Sequence, residues 1–144
     1  MNSNNSLKLY KLASEIINKC RSKKLKISVA ESCTGGLISS IITSIPGSSD
    51  VFECGFITYS NNSKKKFLNV SQNTLSLYGA VSEEVVIEMI SGLKIRTQSD
   101  ILLAISGIAG PGGGTKDKPE GLVWISYAFK NNNIKTAIQK YGPI

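Results

Sequence analysis

Histidine is absent from this chain. That absence removes the Ser-His-Asp and Cys-His machineries. It also removes most zinc sites, which rely on histidine or clustered cysteine. Cysteine is sparse: Cys20, Cys33 and Cys54 form neither a CxxC pair nor a metal-ligand spacing. Neither a metal nor a cofactor is therefore expected. Three cysteines without a signal-peptide core at "MNSNNSLKLYKL" predict a reducing, cytoplasmic setting. No apolar run approaches the ~18 residues that would suggest a membrane span. Arginine is nearly missing, with only Arg21 and Arg96 among 17 basic residues. Aromatic residues make up 7%. Nucleic-acid readers favour arginine forks and aromatic stacking platforms, so the net charge of +7 does not by itself make one. The lysines group at Lys23–Lys26 and Lys64–Lys66 without interleaved aromatics, which reads as solvated surface. The other reading of the charge is an attraction for anionic ligands such as phosphates.

What remains is an aliphatic chain of 144 residues, suited to one domain. Leu9, Leu12, Ala13, Ile16, Ile17 and Cys20 repeat at helical spacing and predict an amphipathic helix over 6–21. "LKISVA" reads as a strand, and Thr34 to Ile45 as a helix stopped by Pro46 and Gly47. "VFECGFITY" (51–59) is a second strand, and Ser60 to Leu68 a short polar helix or turn. Ser71 is a candidate cap for another short helix. Ser82, followed by Glu83 and Glu84, caps a helix to Arg96 with Val85, Val86, Met89, Ile90 and Leu93 inward. "DILLAISGI" is a buried strand, 109–121 a loop, "LVWISYAF" a strand, and 134–138 a last one. The alternation predicts an α/β fold of three layers, with a largely parallel or mixed sheet flanked by helices.

In such sheets ligands bind beyond the carboxyl ends of strands. Three unusual segments stand there: Glu31–Gly36, Tyr59–Lys64 and Ser106–Gly114. Ser32 sits at a strand-to-helix turn, where the amides around Gly35 and Gly36 suit an oxyanion or a phosphate. Pattern alone favours the plainer reading, in which Ser32 or Thr34 only caps the helix. If Ser32 is a nucleophile, its base must be a lysine, a carboxylate or a tyrosine. Lys64 is the positioned candidate, since burial or a neighbouring cation such as Lys65 or Lys66 makes a lysine basic at neutral pH. Tyr59 can hydrogen-bond within such a site. Cys33 is the rival nucleophile, but without an ion-pair partner it reads as a small buried residue. "GPGGGTK" is not a P-loop, because Thr115 precedes Lys116 and Asp117 follows it. Its glycines still allow close approach of backbone to a ligand.

At these residues the chain resembles the CinA C-terminal domain family, the nicotinamide-nucleotide amidohydrolases. The shared motifs are "AESCTGG" at 30–36, "PGSSDVFECGFITYSNNSK" at 46–64, "GAVSEEVVIEM" at 79–89 and "SGIAGPGGGTKDKPEGLVW" at 106–124. The resemblance implies hydrolysis of the carboxamide of nicotinamide mononucleotide by a Ser/Lys dyad. Ser32, Lys64 and Tyr59 fall on the catalytic positions. Cys33, Thr34, Gly35, Gly36, Ser106, Gly107, Gly110 and Gly113 are then the expected substrate-binding set, with the phosphate against the Ser106–Gly114 loop or a nearby lysine. The expected partner is a small-molecule nucleotide, with neither nucleic acid nor membrane, and a homo-oligomer is the expected assembly. The resemblance further implies one domain over 1–144 without the family's Gly-Asp-Arg-like segment and final helix. A competing reading is a non-catalytic domain, tied to competence or damage response, that binds a pyridine nucleotide or a partner protein.

Overall fold

The computed structural model describes residues 3–142. Its elements are α1 (Ser3–Ser22), β1 (Ile27–Glu31), α2 (Leu37–Thr43), a 3-10 turn (Ser48–Asp50) and β2 (Phe52–Ile57). There follow α3 (Asn61–Leu68), α4 (Gln72–Tyr78), α5 (Glu83–Arg96), β3 (Ile101–Gly107), β4 (Leu122–Phe129) and β5 (Lys135–Lys140). The five strands form one sheet in the order β2-β1-β3-β4-β5. β1 runs parallel to both β2 and β3, whereas β3–β4 and β4–β5 are antiparallel. The sheet is therefore mixed. A parallel neighbour needs a long crossover, usually helical, and the glycine-rich loop between β3 and β4 supplies none.

The helices fall on two faces. On one, Val85, Val86, Met89, Ile90 and Leu93 of α5 pack with Leu68, Leu75, Leu102 and Ala104. On the other, Ala13, Ile17 and Cys20 of α1 meet Ile27, Val29, Ile42 and Val51. α5 begins at Ser82, whose hydroxyl accepts from the Val85 amide, and the expected inward residues are buried. Ser60 and Ser71 cap α3 and α4 in the same way. α1 spans the expected stretch, but its apolar stripe splits. Ala13, Ile17 and Cys20 face the core, while Leu12 and Ile16 remain 47% exposed. Among the described residues no helix is long and apolar enough to cross a membrane.

Two departures bear on the site. The helix expected from Thr34 starts only at Leu37. Gly35 (φ +57°) and Gly36 (φ +102°) hold left-handed backbone, which a right-handed helix cannot continue through. At the other departure, α3 and α5 approach so closely that a Cβ on Gly92 would lie 2.2 Å from the Leu68 carbonyl oxygen.

Candidate active site

Parallel register brings the three unusual segments to one edge. Glu31 pairs with Ile57 on one side and Ile105 on the other, so the chain leaves β1, β2 and β3 at one level. The Ser32 amide donates to the Ile105 carbonyl at 3.0 Å, anchoring the Ser32 turn to β3. Ser32 itself is only 7% exposed.

Lys64 comes from the first turns of α3 and is fully buried. Its Nζ lies 2.9 Å from Ser32 Oγ, 2.7 Å from the Thr58 carbonyl and 3.2 Å from the Tyr59 carbonyl. Among the described residues Lys64 forms no ion pair. Burial without a counter-charge lowers its pKa from 10.5 to about 8, and a Cys33 thiolate would raise it again. An ammonium has three protons for these three oxygens. A neutral amine has two N–H groups and one lone pair. With the carbonyls of Thr58 and Tyr59 taking both N–H groups, the lone pair is left for the Ser32 hydroxyl. The three contacts that suit the cation thus also suit a base.

Glu31, the last residue of β1, is fully buried and has no cationic partner among the described residues. Its Oε2 accepts from Thr34 Oγ1 (2.6 Å) and from the Gly36 and Ile38 amides (both 3.1 Å). Its Oε1 accepts from the Ser39 amide (2.8 Å) and the Ser39 hydroxyl (2.7 Å). Burial alone would raise this carboxyl's pKa. The donors from Thr34, Ser39 and Ile38 outweigh burial and hold it below its ordinary value. This overturns the expectation that the turn offers free donors at Gly35 and Gly36. The Gly36 amide is taken by Glu31, and the Gly35 amide donates to the Ser32 carbonyl. The first turn of α2 is closed by a carboxylate from its own strand, leaving no place there for an external anion. The Cys33 and Thr34 amides lie where they would favour a Cys33 thiolate. The half-buried Cys33 thiol is raised in pKa, chiefly by burial, which keeps it protonated rather than nucleophilic.

A cavity of about 360 Å³ opens onto Ser32 and Lys64. Of the expected residues, Cys33, Tyr59, Ser106, Gly107, Gly110 and Gly113 also line it. Thr34, Gly35 and Gly36 do not. Thr34 spends its hydroxyl on Glu31, and the Ser106 hydroxyl donates to the Ala80 carbonyl at 2.7 Å. Tyr59 gives Lys64 a main-chain carbonyl, while its ring stands 72% exposed at the cavity mouth. The glycine-rich loop forms one wall, strapped by Glu120, which accepts from the Gly112 amide at 2.6 Å. An anion seeking that amide would meet a carboxylate already there. Ala80 and Val81 also line the cavity. They lie inside a shared motif, yet small apolar side chains carry no chemical signal.

The CinA C-terminal domain family model matches residues 9–142. The chain is 47% identical over 135 residues to nicotinamide-nucleotide amidohydrolase PncC of Enterobacter agglomerans, covering 94% of this chain and 82% of that one. It is 50% identical over 117 residues to a CinA-like protein of Akkermansia muciniphila, covering 81% of this chain but 28% of that protein. Among solved structures, the competence/damage inducible protein CihA from Agrobacterium tumefaciens superposes with a TM-score of 0.92 at 42% identity. That match covers 94% of this chain and 82% of the other.

Proposed function

This chain belongs to the CinA C-terminal domain family, and on that premise we propose that it hydrolyses the carboxamide of nicotinamide mononucleotide to nicotinate mononucleotide and ammonia. The observation that carries the reading is the buried Lys64 amine, 2.9 Å from Ser32 Oγ and between two carbonyls, without a counter-ion. The name of the Enterobacter agglomerans relative supports the substrate class.

In this reading neutral Lys64 takes the Ser32 proton as Oγ attacks the carboxamide carbon. Charge on the tetrahedral oxygen falls to the Cys33 amide, the turn donor at the cavity that no strong acceptor occupies. Such a donor is typically worth about 3–4 kcal/mol in the transition state. The Lys64 ammonium then gives its proton to the leaving nitrogen, the C–N bond breaks, and ammonia departs. Water attacks the resulting ester, Lys64 accepts its proton, and that proton returns to Ser32 Oγ as the carboxylic acid is released.

The test is ammonia release from nicotinamide mononucleotide by the parent chain, Ser32→Ala and Lys64→Ala. Turnover by the parent that falls by at least about 10³-fold in both variants is the expected result. Turnover that survives in Ser32→Ala would refute the dyad. A folded parent that binds the mononucleotide without releasing ammonia would refute the hydrolase reading.

A further inference from the structure

We propose that Glu31 is the positioning residue of this site, holding the Ser32 hydroxyl and the Cys33 amide in place together; the inference rests on the Ser/Lys reading. Three observations lead there. Ser32 follows Glu31 directly, at the point where the chain leaves a strand buried along its whole length. The turn from Ser32 to Gly36 contains two left-handed glycines, so its own backbone preferences do not fix its shape. The turn is held at its start by the Ser32–Ile105 and Lys64–Ser32 contacts, within by the Gly35–Ser32 bond and at its far end by Leu37–Thr34 and Ser40–Gly36 bonds, and the Glu31 carboxylate gathers donors from both sides of its glycine pair. Five donors converge on that carboxylate: one from Thr34, one from Gly36, one from Ile38 and two from Ser39. A buried anion is costly unless fully hydrogen-bonded, and here every donor comes from the segment it shapes.

The same contacts leave Cys33 as the turn's oxyanion donor at the cavity on that reading. Glu31 consumes the amides that the α2 N-terminus would otherwise present. Glu31 contacts neither Lys64 nor the cavity, so it acts through the turn.

Glu31→Gln preserves shape but not acceptor capacity. In either orientation its NH2 group faces at least one backbone N–H, that of Ser39 or those of Gly36 and Ile38. Displacements near 1 Å at a reacting group cost on the order of 10²-fold in rate. The experiment follows covalent capture of Ser32 by a fluorophosphonate probe, which reads nucleophile alignment without the nucleotide. Deamidation kinetics are measured in parallel. Glu31→Gln is expected to reach the parent's final stoichiometry about 10²-fold more slowly. In deamidation its kcat falls in proportion, while KM and the pH midpoint hold. Ser39→Ala removes one hydroxyl donor and should slow capture by roughly 3- to 10-fold; it decides the matter should Glu31→Gln not fold.

Capture at the parent's rate overturns the proposal. So does a loss confined to final stoichiometry, which marks a purely structural role. A parent that is captured but does not deamidate refutes the substrate reading alone, and the capture rates still judge Glu31. A folded parent that is not captured refutes the nucleophile and its positioning together.

Discussion

Titrating Lys64 is the most exposed consequence of the geometry. Its amine is buried between two carbonyls and one hydroxyl, with a pKa of about 8 instead of 10.5. At pH 7 a lysine with the lower value is roughly 9% neutral, and one with the ordinary value roughly 0.03% neutral. Burial therefore multiplies the competent base about 300-fold, equivalent to about 3.4 kcal/mol at ~1.36 kcal/mol per unit. Because the neutral form is the base, kcat/KM should rise tenfold per pH unit below the midpoint and level off above it. About 1% of the plateau is expected at pH 6, and about half at pH 8. The assay is ammonia release at subsaturating mononucleotide from pH 5.5 to 10. The substrate phosphate titrates near pH ~6, about two units away, so the two inflections are separable. A profile flat from pH 6 to 9, or a midpoint near the ordinary lysine value, would refute Lys64 as a base activated by burial.

The same shift has a stability signature. The unfolded chain holds the Lys64 proton up to its ordinary pKa and the folded chain only up to about 8, so over that window the unfolded state binds more protons. Folding stability should therefore rise with pH through the window, by up to about 3 kcal/mol, and this slope should vanish in Lys64→Met when both are followed by urea denaturation. A parent and variant with parallel pH dependence would contradict it. At the α3–α5 crossing, Gly92→Ala gains about 1 kcal/mol of helix propensity. Its methyl meets main-chain atoms of Leu68 at 2.2–2.7 Å, an overpacking beyond the usual ~1–3 kcal/mol. A net loss of about 2 kcal/mol or more in urea midpoint experiments is expected, and a stabilised variant would show that the helices part easily.

How much was legible varied with the kind of signal. α5 was readable because cap, first-turn acids and apolar period agree on it, and the structure shows Ser82, Val85 and Ile90 as expected. α2 was displaced by three residues, since "TGG" reads as a helix opening until backbone angles are known. The alternation of elements left the sheet largely parallel or mixed; what makes it mixed is the glycine-rich β3–β4 loop, which holds no crossover helix. Without histidine, lysine, carboxylate and tyrosine stayed open as bases; Lys64 stood out by its place after β2, yet its lysine run read as solvated surface and its full burial was not legible. Glu31 was not reachable in that way. Its five donors lie three to eight residues downstream and converge only when α2 folds back over the end of β1. The available hint was a carboxylate ending an otherwise apolar strand. α1 shows a different limit: helical spacing places Leu12 and Ile16 in one stripe with Ile17, but nothing in the spacing says how wide a strip the sheet covers.

Both carbonyls that hold Lys64 belong to the seven-residue stretch Thr58–Lys64 that delivers it. Lys64 is thus a locally wired part, closed by contacts five and six positions apart, whereas the Ser32 hydroxyl beside it lies 32 positions away. A locally wired part tolerates drift around it. Insertions in the α2 region or rearrangement of the Ser32 turn would move the Ser32 hydroxyl without dismantling the cradle around Lys64. For a protein engineer the segment carries the lysine together with its two carbonyls, while the burial that lowers its pKa has to come from the host fold. For an evolving lineage, the residue at position 32 can change while the Lys64 cradle is inherited intact.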